Sequence, residues 1–208
     1  MVATNNMEQR LRERGFDRIV KWERGVDTEL FRPLTKSDEY PAADENERPV
    51  WIYVGRVAVE KNIEAFLELD LPGTKRVVGD GPALEAMRSK YPEVQFLGYR
   101  FGEELAATIA AADVFVFPSL TDTFGLVMLE AMACGLPVAA FPVTGPVDVV
   151  KHGKTGVLDE DLRKAAMAAL ELDGQACRDE ALNRTWRRAT EQFASNLVPV
   201  CATAAQVP

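Results

Sequence analysis

Short, continuously apolar runs alternate with helix-patterned stretches through the middle of this chain. Val50–Val54, Arg76–Val78, Val94–Leu97, Val114–Phe117 and Pro137–Phe141 are rich in β-branched and aromatic residues and predict strands. Several lack the polar alternate of a half-solvated strand, which is the pattern of strands buried on both faces of a parallel sheet. Asn62–Leu69, Pro82–Lys90, Glu103–Ala112 and Gly125–Cys134 predict the intervening helices, the last stopped by Gly135 and Pro137. The repeated βα unit predicts an α/β fold, a doubly wound, Rossmann-like parallel sheet.

The flanks read differently. Met7–Arg14 predicts a short charged helix closed by Gly15, and Arg18–Trp22 a strand leading into Gly25-Val26-Asp27. Thr35–Arg48 is polar and acidic and reads as an exposed loop, whereas Leu162–Leu172 and Gln175–Phe193 predict two surface helices before a small-residue tail. The expected organisation is a linker or entry segment over residues 1–48, a Rossmann-like domain over 49–195 and a flexible tail over 196–208. No internal repeat is visible.

Charge and composition then narrow the chemistry. Among 208 residues, 32 acidic and 24 basic side chains give a formal net charge of −8, which works against a polyanion-binding surface and excludes nucleic acid as the expected partner. No apolar run is long enough to span a bilayer, and the first residues lack a secretory pattern, so the expected location is cytoplasmic. Cys134, Cys177 and Cys201 match neither a metal-ligand spacing nor a disulfide framework and read as packing thiols. His152 is the only histidine, so a histidine-based metal site or general base has little material. What remains is charge, backbone dipoles and carboxylates.

Four places can carry such chemistry. Gly55-Arg56 follows the first strand and Glu60-Lys61-Asn62 precedes a helix, placing Arg56 and Lys61 at the carboxyl edge of the sheet, where open α/β sheets bind ligands. Two cations there suit a diphosphate; taken alone, they are equally well solvated surface charges. Gly79-Asp80-Gly81-Pro82 joins another strand end to a helix, and its glycines either admit a ligand close to the backbone or simply make a tight turn. Asp122-Thr123-Phe124-Gly125-Leu126 feeds a helix whose first amides, around Phe124, Gly125 and Leu126, are unpaired donors at the positive end of the helix dipole, an anion site. Asp122 and Glu130 bracket that site, separated by on the order of 10 Å at about 1.5 Å rise per residue, too far for an acid/base dyad but suited to the two ends of one ligand. Glu130 sits in an otherwise apolar helix, where an unpaired acid is costly; the alternative is that Asp122 only caps the helix and Glu130 is solvated.

Taken in order, the Gly55-Arg56 and Glu60-Lys61-Asn62 pair, the Gly79-Asp80-Gly81-Pro82 turn, the Pro118-Ser119 strand end and the Glu130-Ala131-Met132-Ala133 helix resemble glycosyltransferase family four, over about Thr4 to Phe193. The resemblance implies a retaining enzyme of two-domain GT-B architecture that uses a nucleotide-diphosphate sugar, with this chain as its carboxyl-terminal, donor-binding half. It implies that Arg56 and Lys61 hold the diphosphate, that Glu130 holds the ribose hydroxyls, and that Thr123, Phe124, Gly125 and Leu126 face phosphate and hexose. Gly55 and Gly79 border the donor, and backbone atoms near Gly98 and Tyr99 read the base. Asp122 stands at the first position of the family's acidic pair, usually glutamate, so its contact with the hexose is shorter by a methylene. Arg56, Lys61 and Asp122 are thus the expected catalytic residues, with no cofactor and no metal, the donor being a UDP-sugar or a GDP-sugar.

The resemblance also implies a missing amino-terminal acceptor domain, a chain that is a fragment of a longer protein and inactive alone, and an exposed, sticky cleft face. By analogy the full-length enzyme associates peripherally with the inner face of the membrane. Three alternatives stand beside this reading: a non-catalytic nucleotide-sugar-binding module, a GT-B sugar-nucleotide epimerase or phosphorylase, and a nicotinamide oxidoreductase. The last is disfavoured because no G-x-G-x-x-G follows the first strand.

Overall fold

A computed structural model describes residues 1–35 and 45–197 of the chain. Six parallel strands, β1 (Val50–Val54), β2 (Thr74–Val78), β3 (Gln95–Gly98), β4 (Val114–Phe117), β5 (Val138–Ala140) and β6 (Gly156–Leu158), lie in the order β3-β2-β1-β4-β5-β6. The chain winds outward from β1 on one side and then restarts at β4 on the other. The carboxyl ends of β1 and β4 therefore flank the crevice where the winding reverses.

The apolar runs are continuous because the sheet is covered on both faces. Val50, Ile52, Val54, Phe115 and Phe117 point into one core cluster with Met128, Leu129, Met132, Cys177 and Ala181. Trp51, Tyr53, Val114 and Val116 point into the other with Phe66, Leu67, Leu84, Leu162, Ala165 and Ala166. Alternate side chains of each strand thus meet different helix layers, as the pleat requires. The first layer contains α4 (Gly102–Ala110), α5 (Leu126–Ala133) and α8 (Gly174–Leu182); the second contains α2 (Glu64–Leu67), α3 (Leu84–Lys90) and α7 (Leu162–Ala169). Among the described residues, no helix is long and apolar enough to cross a membrane.

Several elements differ from expectation, each for a local reason. Asn62–Leu69 is interrupted: Val59–Lys61 forms a 3-10 turn, Asn62 takes the left-handed conformation (φ 51°), and α2 starts only at Glu64. Arg18–Trp22 is not a strand. Its pairing is reduced to one bridge, between Val2 and Lys21, beside α1 (Asn5–Arg12), whose first turn is capped by Thr4. Two elements absent from the sequence reading, α6 (Pro146–Val149) and β6, are three or four residues long, too short for a periodic pattern to show.

Gln175–Phe193 splits into α8 and α9 (Trp186–Ser195) because Thr185 caps a new helix start, its side chain accepting from the Arg188 amide. Nor are the carboxyl-terminal helices purely superficial, since Ala165, Ala166, Ala169, Cys177 and Ala181 are fully buried. Arg178 on α8 donates to the carbonyls of Thr28, Phe31 and Ala133, fastening the amino-terminal segment to α5. The helix stop at Gly135 is as expected, with Gly135 at φ 84° and the Leu136 amide returning to Ala131. Most of Thr35–Arg48 falls outside the described residues, though Glu45–Glu47 forms a 3-10 turn; the tail beyond Leu197 and Cys201 also lie outside them.

Candidate functional site

The site grows from three loops that leave the carboxyl ends of adjacent strands. After β1, Gly55-Arg56-Val57 crosses over the turn after β2. The Gly55 amide donates to the Val78 carbonyl, the Val57 amide to Asp80, and the Ala83 amide back to Val57. A Cβ on Gly79 would stand 1.9 Å from the Gly55 carbonyl oxygen, and one on Gly81 would stand 2.3 Å from that of Val57. These glycines are there to let two protein loops cross at backbone contact. Loop-on-loop packing accounts for both glycines, and both also border a cleft.

That cleft, about 900 Å³, opens outside β1 and β2 and is lined by Gly55, Arg56, Gly79, Asp80, Tyr99 and Glu130, among others. A second recess of about 330 Å³ continues from it toward β4, sharing Val54, Gly55, Arg56 and Glu130 and adding Lys61, Ser119 and Asp122. The pair Arg56 and Lys61 and the pair Asp122 and Glu130, far apart from each other in sequence, therefore meet in one continuous depression at the switch point. Gly98 does not line it, and its carbonyl is occupied by the Gly79 amide at 2.8 Å. Tyr99 does line the larger cleft, with its ring mostly exposed.

The two cations already have partners. Lys61 Nζ lies 3.0 Å from Asp122 Oδ2, in a pair with only 30% and 16% of the side chains exposed. Arg56 pairs with Glu60 at 3.1 Å, both side chains well exposed, so this link is weak and easily exchanged. The Lys61 loop is tied to the Asp122 loop a second time by Asn62, whose amide donates to the Pro118 carbonyl at 3.0 Å.

Asp122 also accepts from the Phe124 amide at 3.1 Å. One of the three amides expected to be free for an anion is consequently taken by the protein's own carboxylate. Burial alone would raise the Asp122 carboxyl, but the Phe124 amide and the Lys61 ammonium hold it below its ordinary value. Helix α5 begins at Leu126 after Gly125 in the left-handed conformation, with no side-chain cap. Its open amides are those of Gly125, Leu126 and Val127, which have no acceptor among the described residues. Thr123, Phe124, Gly125 and Leu126 do not themselves line either recess; α5 reaches it through Val127 and Glu130.

Glu130 is the anomaly of the site. It sits half-buried on α5, and no described residue hydrogen-bonds or ion-pairs with its carboxylate. Burial lifts its carboxyl above the ordinary glutamate value. An acid kept in such a place, at the junction of two recesses, is poised for a polar ligand. Among the described residues, no group of three histidine, cysteine or acidic side chains could hold a metal ion. His152 accepts from the Leu158 amide in an exposed loop. Cys134 and Cys177 are buried, and burial pushes both thiols up to about 12, as packing thiols require.

Sequence reasoning passed over Tyr53 and took Asn62 only as the last residue of the Glu60-Lys61-Asn62 motif and the start of a helix. The only signal for Tyr53 was a lone hydroxyl in the apolar run Val50–Val54; nothing marked the left-handed turn at Asn62.

With this geometry in hand, comparison with known proteins is decisive at the level of family. The family described as glycosyl transferases group 1 matches residues 48–172. The chain belongs to that family. It is 38% identical over 195 residues to the sulfoquinovosyl transferase SQD2 of Arabidopsis thaliana, a match covering 83% of this chain and 38% of that protein. It is 34% identical over 196 residues to a GDP-mannose-dependent alpha-mannosyltransferase of Mycobacterium tuberculosis, covering 88% of this chain and 52% of that one. The solved structure of sucrose-phosphate synthase from Thermosynechococcus elongatus superposes with a TM-score of 0.80 at 28% identity, over 93% of this chain and 56% of the other. The fold is accordingly that of a group 1, GT-B glycosyltransferase, and the chain spans about half the length of these relatives, or less.

Proposed function

We propose that this chain is the donor-binding half of a retaining hexosyltransferase that takes its sugar from a nucleoside diphosphate. The observation that carries the reading is Glu130, a half-buried carboxylate without a partner among the described residues, at the junction of a cleft of about 900 Å³ and a recess of about 330 Å³. A ribose offers two hydroxyl donors to such an acid, and charge-assisted hydrogen bonds of this kind are the strong ones. The larger cleft then takes the nucleoside, with Tyr99 at its wall. The recess takes the diphosphate and hexose beside Arg56, Lys61 and the open amides of α5, and Asp122 takes the hexose. No cofactor or metal is needed, because two cations and a helix dipole oppose the diphosphate charge. The names of the relatives, one of them dependent on GDP-mannose, support a nucleotide sugar as the donor.

In the transfer step the acceptor hydroxyl oxygen forms its bond to the anomeric carbon on the face from which the diphosphate departs. The carbon–oxygen bond to the β-phosphate breaks with its electron pair going to the phosphate, and a phosphate oxygen takes the hydroxyl proton. Arg56, Lys61 and the amides stabilise charge that grows on that oxygen. Losing one such donor typically costs roughly 3–4 kcal/mol, about 10²–10³ in rate. The acceptor is brought by a further, amino-terminal domain, so the isolated chain holds the donor and transfers nothing.

Calorimetric titration with UDP, GDP, ADP and their hexose conjugates, without added metal, tests this. One diphosphate is expected to bind saturably and to be weakened by Arg56→Ala and by Glu130→Ala. If neither the folded chain nor the full-length protein binds any of them, the reading is wrong.

A further inference from the structure

Arg56 carries much of the proposed diphosphate contact, yet its side chain is 63% exposed and is held only by an equally exposed glutamate one turn away. Its placement must come from its backbone. On the far side, Val57 is locked through the Asp80 carbonyl and the Ala83 amide. On the near side, the Arg56 carbonyl accepts a hydrogen bond from the Tyr53 hydroxyl at 2.8 Å. Tyr53 is 2% exposed, and its ring fills the core face of β1 while its hydroxyl rises beneath the turn. The fit is close: a Cβ on Gly55 would stand 2.9 Å from that hydroxyl. Tyr53 also forms part of the wall of the recess that holds Lys61, Asp122 and Glu130.

We propose that Tyr53 is a positioning residue for the donor diphosphate, its buried hydroxyl fixing the Arg56 carbonyl and so the direction in which the guanidinium leaves the turn. The inference rests on the donor-site reading above and adds to it a residue that acts on the donor through Arg56. Any buried phenol hydroxyl needs an acceptor, and here the acceptor is the carbonyl of the residue that carries the guanidinium, whereas a phenylalanine would fill nearly the same volume and leave that carbonyl unheld. Burial, with Asp122 and Glu60 facing it, pushes the phenol upward, so the hydroxyl remains a donor across the working range.

The test is a double-substitution cycle on the full chain, with UDP and GDP as probes and the thermal midpoint measured alongside. Tyr53→Phe is expected to weaken the nucleotide bound by the wild-type chain roughly fivefold to tenfold, the range of one buried hydrogen bond. In an Arg56→Ala background the same substitution is expected to change affinity less than twofold, because there is no guanidinium left to aim. Unchanged affinity in Tyr53→Phe, or an equal loss in both backgrounds, overturns the proposal, and a shift in midpoint without a loss of affinity shows packing alone. Absence of nucleotide binding by both the folded wild-type chain and the full-length protein removes the donor-site reading itself, an outcome distinct from either of these.

Discussion

Glutamine at position 130 should make the chain more stable and less able to bind its donor. Glu130 is half-buried on α5 without a partner, and burial alone accounts for its raised carboxyl. Leaving such a group unsatisfied costs about 1–3 kcal/mol when it is neutral and more when it is charged, so exchanging the carboxylate for an amide relieves only the excess. Because this carboxylate still faces an open recess, the lower end is appropriate, and removing the charge while keeping the shape should return about 1 kcal/mol. For a chain of this size that is a gain of roughly 2–4 °C in Tm. The sign with pH follows from the direction of the shift. A carboxyl raised by folding is easier to ionise in the unfolded chain, so the penalty is absent below the ordinary glutamate value of about 4.3 and develops as pH rises through the folded value. The advantage of Glu130→Gln should therefore be present at pH 7 and vanish near pH 4. Calorimetric melts of both chains at the two pH values check this, with nucleotide titration at pH 7 expected to show at least a tenfold loss. A glutamine variant less stable than wild type at pH 7, or equally tight in binding, would refute the view that this acid is kept for a ligand at the expense of the fold.

Two further outcomes follow from the loops around it. Gly79→Ala should cost on the order of 2–3 kcal/mol in chemical denaturation, because its Cβ would stand 1.9 Å from a backbone oxygen and its φ of 139° is one that side chains rarely adopt. A loss under 0.5 kcal/mol would mean that the loops do not cross as described. Asp122→Asn should destabilise the chain by about 1 kcal/mol at pH 7 by weakening the Lys61 and Phe124 contacts. Since the Asp122 carboxyl is lowered by folding, its contribution is present above about pH 4 and is lost as pH falls through the folded value, so the two chains should converge in acid melts.

The parallel sheet was legible in the sequence because strands buried on two faces leave no polar positions, and Val50–Val54 and Val114–Phe117 are unbroken apolar runs. The helix stop at Gly135 has a comparable local cause. So does the anomaly of Glu130, one acid in an apolar helix, which hydrophobic periodicity alone exposes. The short elements α6 and β6 owe their form to the neighbours they pack against and were not legible.

The sequence by itself determined which residues would be brought to the carboxyl edge of the sheet, since each follows a strand. Only the tertiary structure decided how they stand toward one another. Lys61 is turned onto Asp122 by a left-handed residue and a side-chain tie to Pro118, contacts that span some 60 residues of chain and leave no periodic trace. The glycines of the β2–α3 turn serve a crossing loop, and a tyrosine from the core reaches up beneath the arginine. Strand order and side-chain period are local properties that sequence carries directly, whereas contacts between loops depend on where the sheet has already placed their ends.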